Sequence, residues 1–236
     1  MRTTACIALG GLMLLAQSSA AQSLNVDLGT RATGAPGFGP PNDAFGGAAN
    51  QPGRWNNYTG ENTEPLQLVD LAGMATSVLL TRTLGAGGNS FFDSPNTTGD
   101  HQLLIDDYHN IGGIGSNVGY FFQNLAAGLY EVYTYAVDPS NAANRTDVTI
   151  AGNTQTVGGL MPVNAFSQGV THALHTINHA GGNLTILIST SALPPGNLGS
   201  VNGFQLVLVP EAGSMALLAL AAMVSGRPLT RRRRLA

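Results

Sequence analysis

Carboxylates crowd one short stretch of this 236-residue chain. Asp106-Asp107-Tyr108-His109 follows Asp93 and Asp100, and such a run offers the oxygen ligands that Ca2+ collects from loops. Asp106 and Asp107 are the candidate metal ligands. The fixed spacing of a helix–loop–helix calcium loop is absent, so a solvated acidic loop is the plain alternative. His172, His175 and His179 suggest a metal less well. On a strand, positions 172 and 175 point to opposite faces, and no Glu lies between 175 and 179 as a zinc-protease helix requires.

A second cluster suits a sugar. In Arg54-Trp55-Asn56-Asn57-Tyr58, the rings of Trp55 and Tyr58 could stack on the C–H face of a pyranose while Asn56, Asn57 and Arg54 bind hydroxyls. Trp55 is the only tryptophan, and a lone tryptophan in a sandwich is more often a core residue. The marks of nucleophilic, zinc-protease and phosphate-loop chemistry are missing. Glycosidases need two carboxylates about 5–10 Å apart. Glu61 with Glu64, or Asp106 with Asp107, could be nominated, but any acidic surface offers such pairs. No catalytic residue stands out, and the chain reads as not an enzyme. The sequons at Asn57, Asn96, Asn144 and Asn183 are read as chance.

Charge and cysteine content narrow the classes further. The chain carries ten arginines and no lysine. Between residues 22 and 209 there are four arginines against twelve carboxylates, a balance of −8. Such a body repels phosphate backbones, so nucleic acid is excluded as a partner. Cys6 is the only cysteine and lies in the first twenty-one residues, so the body has neither disulfide nor thiolate ligand.

The two ends of the chain read as addresses. Met1-Arg2, an apolar run over 5–16 and small residues at Ser19-Ala20-Ala21 form a secretory signal peptide over residues 1–21. At the other end, residues 210–236 begin with Pro210-Glu211, continue uncharged from Ala212 to Gly226, and close on Arg231-Arg232-Arg233-Arg234. Fifteen helical residues reach about 22 Å. That is short of a bilayer core of about 30 Å.

Val209-Pro210-Glu211, the Ala/Leu/Met run and the four arginines together resemble the PEP-CTERM sorting signal of exported bacterial proteins. Ala212 stands where the second proline of that motif would be, and Gly226-Arg227-Pro228 interrupts the join to the arginines. The resemblance implies an exosortase-type processing enzyme, transient anchoring through a short C-terminal apolar helix, and delivery to the envelope or an exopolysaccharide matrix.

Between these ends, Gly, Asn, Thr and Ser punctuate runs of alternating or β-branched residues, the pattern of many short strands. Strands are expected at 24–28, 66–70, 76–82, 129–137, 147–150, 154–157, 170–177, 184–188 and 204–208. The run 118–122 is apolar and aromatic, and 103–105 suits a strand or a short helix. The run 129–137, dense in aromatic and β-branched residues, is expected near a sheet centre. Ala151-Gly152-Asn153 should turn a hairpin. Residues 29–51 and 85–100 read as loops. The fold class is all-β, a two-sheet antiparallel sandwich of jelly-roll type over residues 22–209.

Trp55-Asn56-Asn57, Leu68-Val69-Asp70, Leu125 to Val132 and Val201 to Leu206 are similar to strand patterns of galactose-binding-like and malectin-like jelly rolls. That resemblance implies the fold and, more distantly, a carbohydrate ligand. The expectation is an exported, non-catalytic sandwich that binds extracellular polysaccharide or builds a matrix. The alternative is a secreted glycosidase or lyase.

Overall fold

The computed structural model of the protein describes residues 22–29, 38–59, 64–83, 87–193 and 196–210. The expected signal peptide lies outside the described residues. So does the sorting segment beyond Pro210, with Glu211, Arg231, Arg232, Arg233 and Arg234.

In chain order the strands are β1 (Leu24–Asp27), β2 (Trp55–Asn57), β3 (Leu66–Val69), β4 (Ala75–Arg82) and β5 (Asn89–Phe91). A short helix, α1 (Asp100–Ile105), precedes β6 (Asp107–Gly112), β7 (Asn117–Leu125), β8 (Gly128–Tyr135), β9 (Thr146–Ile150) and β10 (Asn153–Val157). The last four are β11 (His172–His179), β12 (Gly182–Thr190), β13 (Gly199–Val201) and β14 (Gly203–Val209). They form a five-stranded sheet in the order β11-β8-β14-β1-β2 and a six-stranded sheet in the order β10-β9-β12-β7-β4-β3. The protein is a two-sheet β-sandwich.

Period-2 alternation builds the core. Leu24 and Val26 of β1, Tyr130 and Val132 of β8, and Phe204 and Leu206 of β14 turn inward from one sheet. Val118, Tyr120 and Phe122 of β7 and Leu184, Ile186 and Ile188 of β12 meet them from the other. The Phe204 ring lies 4.9 Å from Tyr120 and 5.6 Å from Phe122, the latter edge-on at 87°.

Three features differ from the sequence expectation. The centre of the five-stranded sheet is β14, bonded to β8 on one side and β1 on the other, so β8 stands one place from the edge. Sequence places β14 last, and only β1 returning beside it makes it central. The β1–β2 pair is parallel, against an otherwise antiparallel ladder. The stretch expected as a loop over 85–100 contains β5, which joins β6 and β13 in a third, three-stranded sheet.

Each lateral edge of the sandwich is closed by one side-chain amide. Asn56 on edge strand β2 donates through Nδ2 to Val69 O (2.9 Å) and accepts from Val69 N (2.7 Å) on edge strand β3. At the far side, Gln155 on β10 donates to Leu174 O and accepts from Leu174 N (3.1 Å) on β11. A primary amide has the same donor–acceptor pair as a peptide, so each side chain serves as one rung of ladder between the sheets. Both edges that could recruit a foreign strand are thereby partly occupied.

Over the outer face of the five-stranded sheet lies a second layer, made of residues 38–53, α1 and residues 161–166. Trp55, Tyr135, Leu104, Ile105, Val137 and Met161 form a separate hydrophobic cluster there. Beside it, Asn25, Gln51 and Gln205 bond one another, with Gln51 Nε2 and Gln205 Nε2 both 2.9 Å from Asn25 Oδ1.

Candidate functional site

The residues proposed for sugar stacking sit inside the protein. Trp55 is 2 % exposed, its indole N–H donates to Phe45 O (3.2 Å), and Phe45 shields it at a ring distance of 6.1 Å. Tyr58 is fully buried in the main core. Asn56 is committed to the edge, bonding Asn25 O (2.9 Å) as well as Val69. None of the three offers a surface to a ligand. The cover over Trp55 comes from Phe45, in a stretch that reads from sequence as a surface loop.

Asp106 and Asp107 part company at the end of α1. The Asp106 carboxylate accepts from Ser94 N (2.9 Å) and Thr97 Oγ1 (2.6 Å), so it ties down the loop before α1 and is spent as a ligand. Burial raises its pKa despite those bonds. Asp107 begins β6 and turns to the end of the sandwich, where burial and the Asp107 charge together hold the Asp27 carboxyl well above the usual range. Among the described residues, no three His, Cys, Asp or Glu side chains converge as a metal set.

His172 and His175 face opposite ways, as expected of a strand. His172 lies among Tyr133, Tyr135 and Phe166 on the outer face, while His175 bonds Asn153 O from the inner one (3.1 Å). Burial lowers the pKa of both, for His172 to about 4. His109 is held at about 4 as well, by burial first and then by Arg82. Arg82 can only donate, so the His109 nitrogen it meets is unprotonated, and Tyr120 OH lies 2.9 Å from Nδ1. This histidine is 1 % exposed, which rules it out as an acid or base for an outside substrate.

The exposed chemistry lies on the outer face of the six-stranded sheet. Gly119 of β7 makes room there: a side chain at 119 would meet Phe121 Cζ at 3.0 Å and Cε2 at 3.2 Å. The Phe121 ring therefore lies down along the strand over Gly119. Leu187, 39 % exposed, is the register partner of Gly119 on β12. Thr185 and Thr81 are the partners of Phe121 on β12 and β4. Gln123 reaches Thr81 Oγ1 (3.2 Å), and Thr149 and Thr154 share a hydroxyl contact of 2.7 Å further across. Among the described residues, the strands of this face point one ionisable side chain outward. It is Asp147, already bonded by Thr156 (2.6 Å). The result is a nearly neutral face with a flat ring at its middle and hydroxyls and amides around it.

Phe121 was legible by parity. Val118, Tyr120 and Phe122 point inward, so 119 and 121 must point out. Within the apolar run 118–122 that single outward ring is easily passed over.

No family model matches the chain, and no curated protein does. The plant receptor-like kinase FER is a structural neighbour, with TM-score 0.45 and 15 % identity, covering 80 % of this chain and 42 % of that one. A family 35 carbohydrate-binding module from Clostridium thermocellum gives TM-score 0.36 and 15 % identity, covering 55 % of this chain and 92 % of the module. The CBM36-1 domain of a xylanase from a Trinervitermes trinervoides hindgut metagenome gives 0.32 and 18 %, covering 56 % and 99 %.

Proposed function

We propose that the protein is a non-catalytic carbohydrate-binding sandwich and that its ligand lies on the outer face of the six-stranded sheet. The Phe121 ring lying over Gly119 carries this reading. A core residue would turn edge-on into its neighbours, whereas a ring laid on a strand presents its flat side, which fits the C–H face of a pyranose. Leu187 extends the apolar area, while Thr81, Gln123, Thr149 and Thr185 can exchange hydrogen bonds with ring hydroxyls. The scarcity of charge favours a neutral glycan over a uronate or sulfated one.

On a glycan array and in titration calorimetry, the purified protein is expected to bind neutral polysaccharide. Phe121→Ala should weaken that binding about tenfold or more, roughly 1.4 kcal/mol. Phe121 belongs to neither hydrophobic cluster, so the variant should melt within a few degrees of the native protein. Absence of binding to every glycan, or unchanged affinity in the variant, defeats the reading. Release of reducing ends from the bound polymer would point to an enzyme instead.

The ends of the chain supply the proposed location. A signal peptide and a sorting segment with exosortase-type processing would deliver the sandwich to the envelope or matrix, anchored at least transiently by the C-terminal segment. Cells that express the chain without residues 210–236 should shed it into the medium, and unchanged fractionation argues against the sorting role.

A further inference from the structure

The strand registers set the groups around Phe121 in a straight row. Leu187 of β12 pairs with Gly119 of β7 on one side and with Thr149 of β9 on the other. Thr149 pairs in turn with Thr154 of β10. Beyond Gly119, Thr83 continues the ladder just past the end of β4. Its N–H donates to Gly119 O (2.9 Å), and its hydroxyl accepts from Gly119 N (2.8 Å). The Phe121 ring fills the place of the side chain that Gly119 lacks. Paired residues of antiparallel strands share a face. Thr154, Thr149, Leu187, the Phe121 ring and Thr83 therefore stand side by side across the sheet, each of them exposed or half-buried.

Neighbouring strands lie about 4.8 Å apart, so this row is about 19 Å long. The strand spacing is close to the advance of one pyranose along an extended chain, and the row has length for about four units. Polar rows flank it roughly 7 Å away on either side, two residues along each strand. Thr156, Asp147, Ser189 and Asn117 are register partners on one side. Thr185 and Thr81, the partners of Phe121, lie on the other. A chain laid along the middle row would stack one ring on Phe121 and turn its edge hydroxyls toward both flanks.

The twist of the sheet narrows the class. Adjacent strands rotate by about 20–25°, so the outward direction swings by roughly 80–100° from one end of the row to the other. A flat crystalline surface can touch only part of such a row. A single chain can turn about its own axis and follow all of it. On the carbohydrate reading above, on which this rests, we propose that the face takes one extended, soluble chain of neutral sugars, laid across the strands and held over about four units.

The test uses the purified full-length protein and oligosaccharides of one to six units, prepared from the neutral polysaccharide that the glycan array selects. In titration calorimetry, affinity should climb about tenfold or more between two and four units and level off beyond. Thr154 lies three places along the row from the Phe121 ring, outside the span of a two-unit oligomer seated on that ring. Thr154→Ala should therefore weaken the four-unit oligomer severalfold more than the two-unit one, whereas Phe121→Ala should weaken every length. Three results would overturn the inference and leave the Phe121 reading standing: equal affinity for two and six units, a loss with Thr154→Ala that does not grow with length, or pelleting with the crystalline polymer alone. Absence of binding to every glycan on the array removes the reading beneath it as well.

Discussion

Asn56→Asp should be the most damaging near-isosteric change in the protein. Asn56 is 7 % exposed and spends both amide hydrogens, on Asn25 O and Val69 O. Aspartate keeps the acceptor for Val69 N but turns an oxygen toward two carbonyl oxygens. A buried charge then faces two acceptors with no donor between them. Buried polar groups left without partners cost about 1–3 kcal/mol, and charged ones more. A loss on the order of 3–5 kcal/mol is expected, by analogy with breaking buried charge pairs. For a chain of this size each kcal/mol lowers the midpoint by roughly 2–4 °C, so calorimetry should show a fall of about 6–20 °C. Gln155→Glu makes the same change at the opposite edge, where the side chain is only partly buried, and should cost about 1 kcal/mol. Melting of Asn56→Asp within 2 °C of the native protein would show that the edge amide contributes nothing.

The second large effect is a dependence on pH that runs through His109. Its folded pKa of about 4 lies below the ordinary value near 6.5. Between these pH values the unfolded chain takes up a proton that the folded chain refuses. The neutral histidine therefore stabilises the fold above about pH 6.5, and that contribution is lost as the pH falls toward 4. His172 behaves alike. Asp27 and Asp106 act in the opposite sense. Their raised pKa values let the folded chain keep protons that the unfolded chain has released, so their contribution is greatest in acid and declines as the pH rises. The net curve mixes both, but His109→Gln isolates one proton. In urea unfolding, the stability of His109→Gln relative to the native chain should improve by about 1.4 kcal/mol for each pH unit between 6 and 4. A constant difference across that range would mean that His109 is protonated in the folded protein.

How far the fold could be read in advance depended on whether one strand carried its own information. β7, β8, β12 and β14 alternate so clearly that both faces follow from parity. The hairpin of β9 and β10 follows from Gly152, although the two turn residues are Ala151 and Gly152 and Asn153 already pairs with Ile150. What could not be read was any surface decided by a distant segment. Asp27 and Asn25 occupy the polar face of β1, and locally that face looks like water. In the structure it is roofed by residues 38–53 and α1, so Asn25 acquires amide partners and Asp27 none. Trp55 was misleading for the same reason, since an aromatic residue flanked by asparagines resembles a binding ridge until Phe45 covers it. Asp106 and Asp107 looked like one acidic site because they are adjacent. The end of α1 turns them apart, one into a loop and the other toward β1, and no spacing rule encodes that turn.

The place of β14 sets how the sandwich would answer to force. Its last residues pair with the start of β1, Leu206 facing Leu24, and Leu208 N donates to Ser23 Oγ. A pull between residues 22 and 210 would peel β1 from β14 one pair at a time, which is the weak direction. A pull on residue 210 against a ligand held on the six-stranded sheet loads β14 along its length instead. Its seven pairs with β8 and four with β1 must then yield together. A molecule tethered by its C-terminal end and gripping a polymer with Phe121 would thus be strained along its stronger axis, and an optical trap can compare the two rupture forces directly.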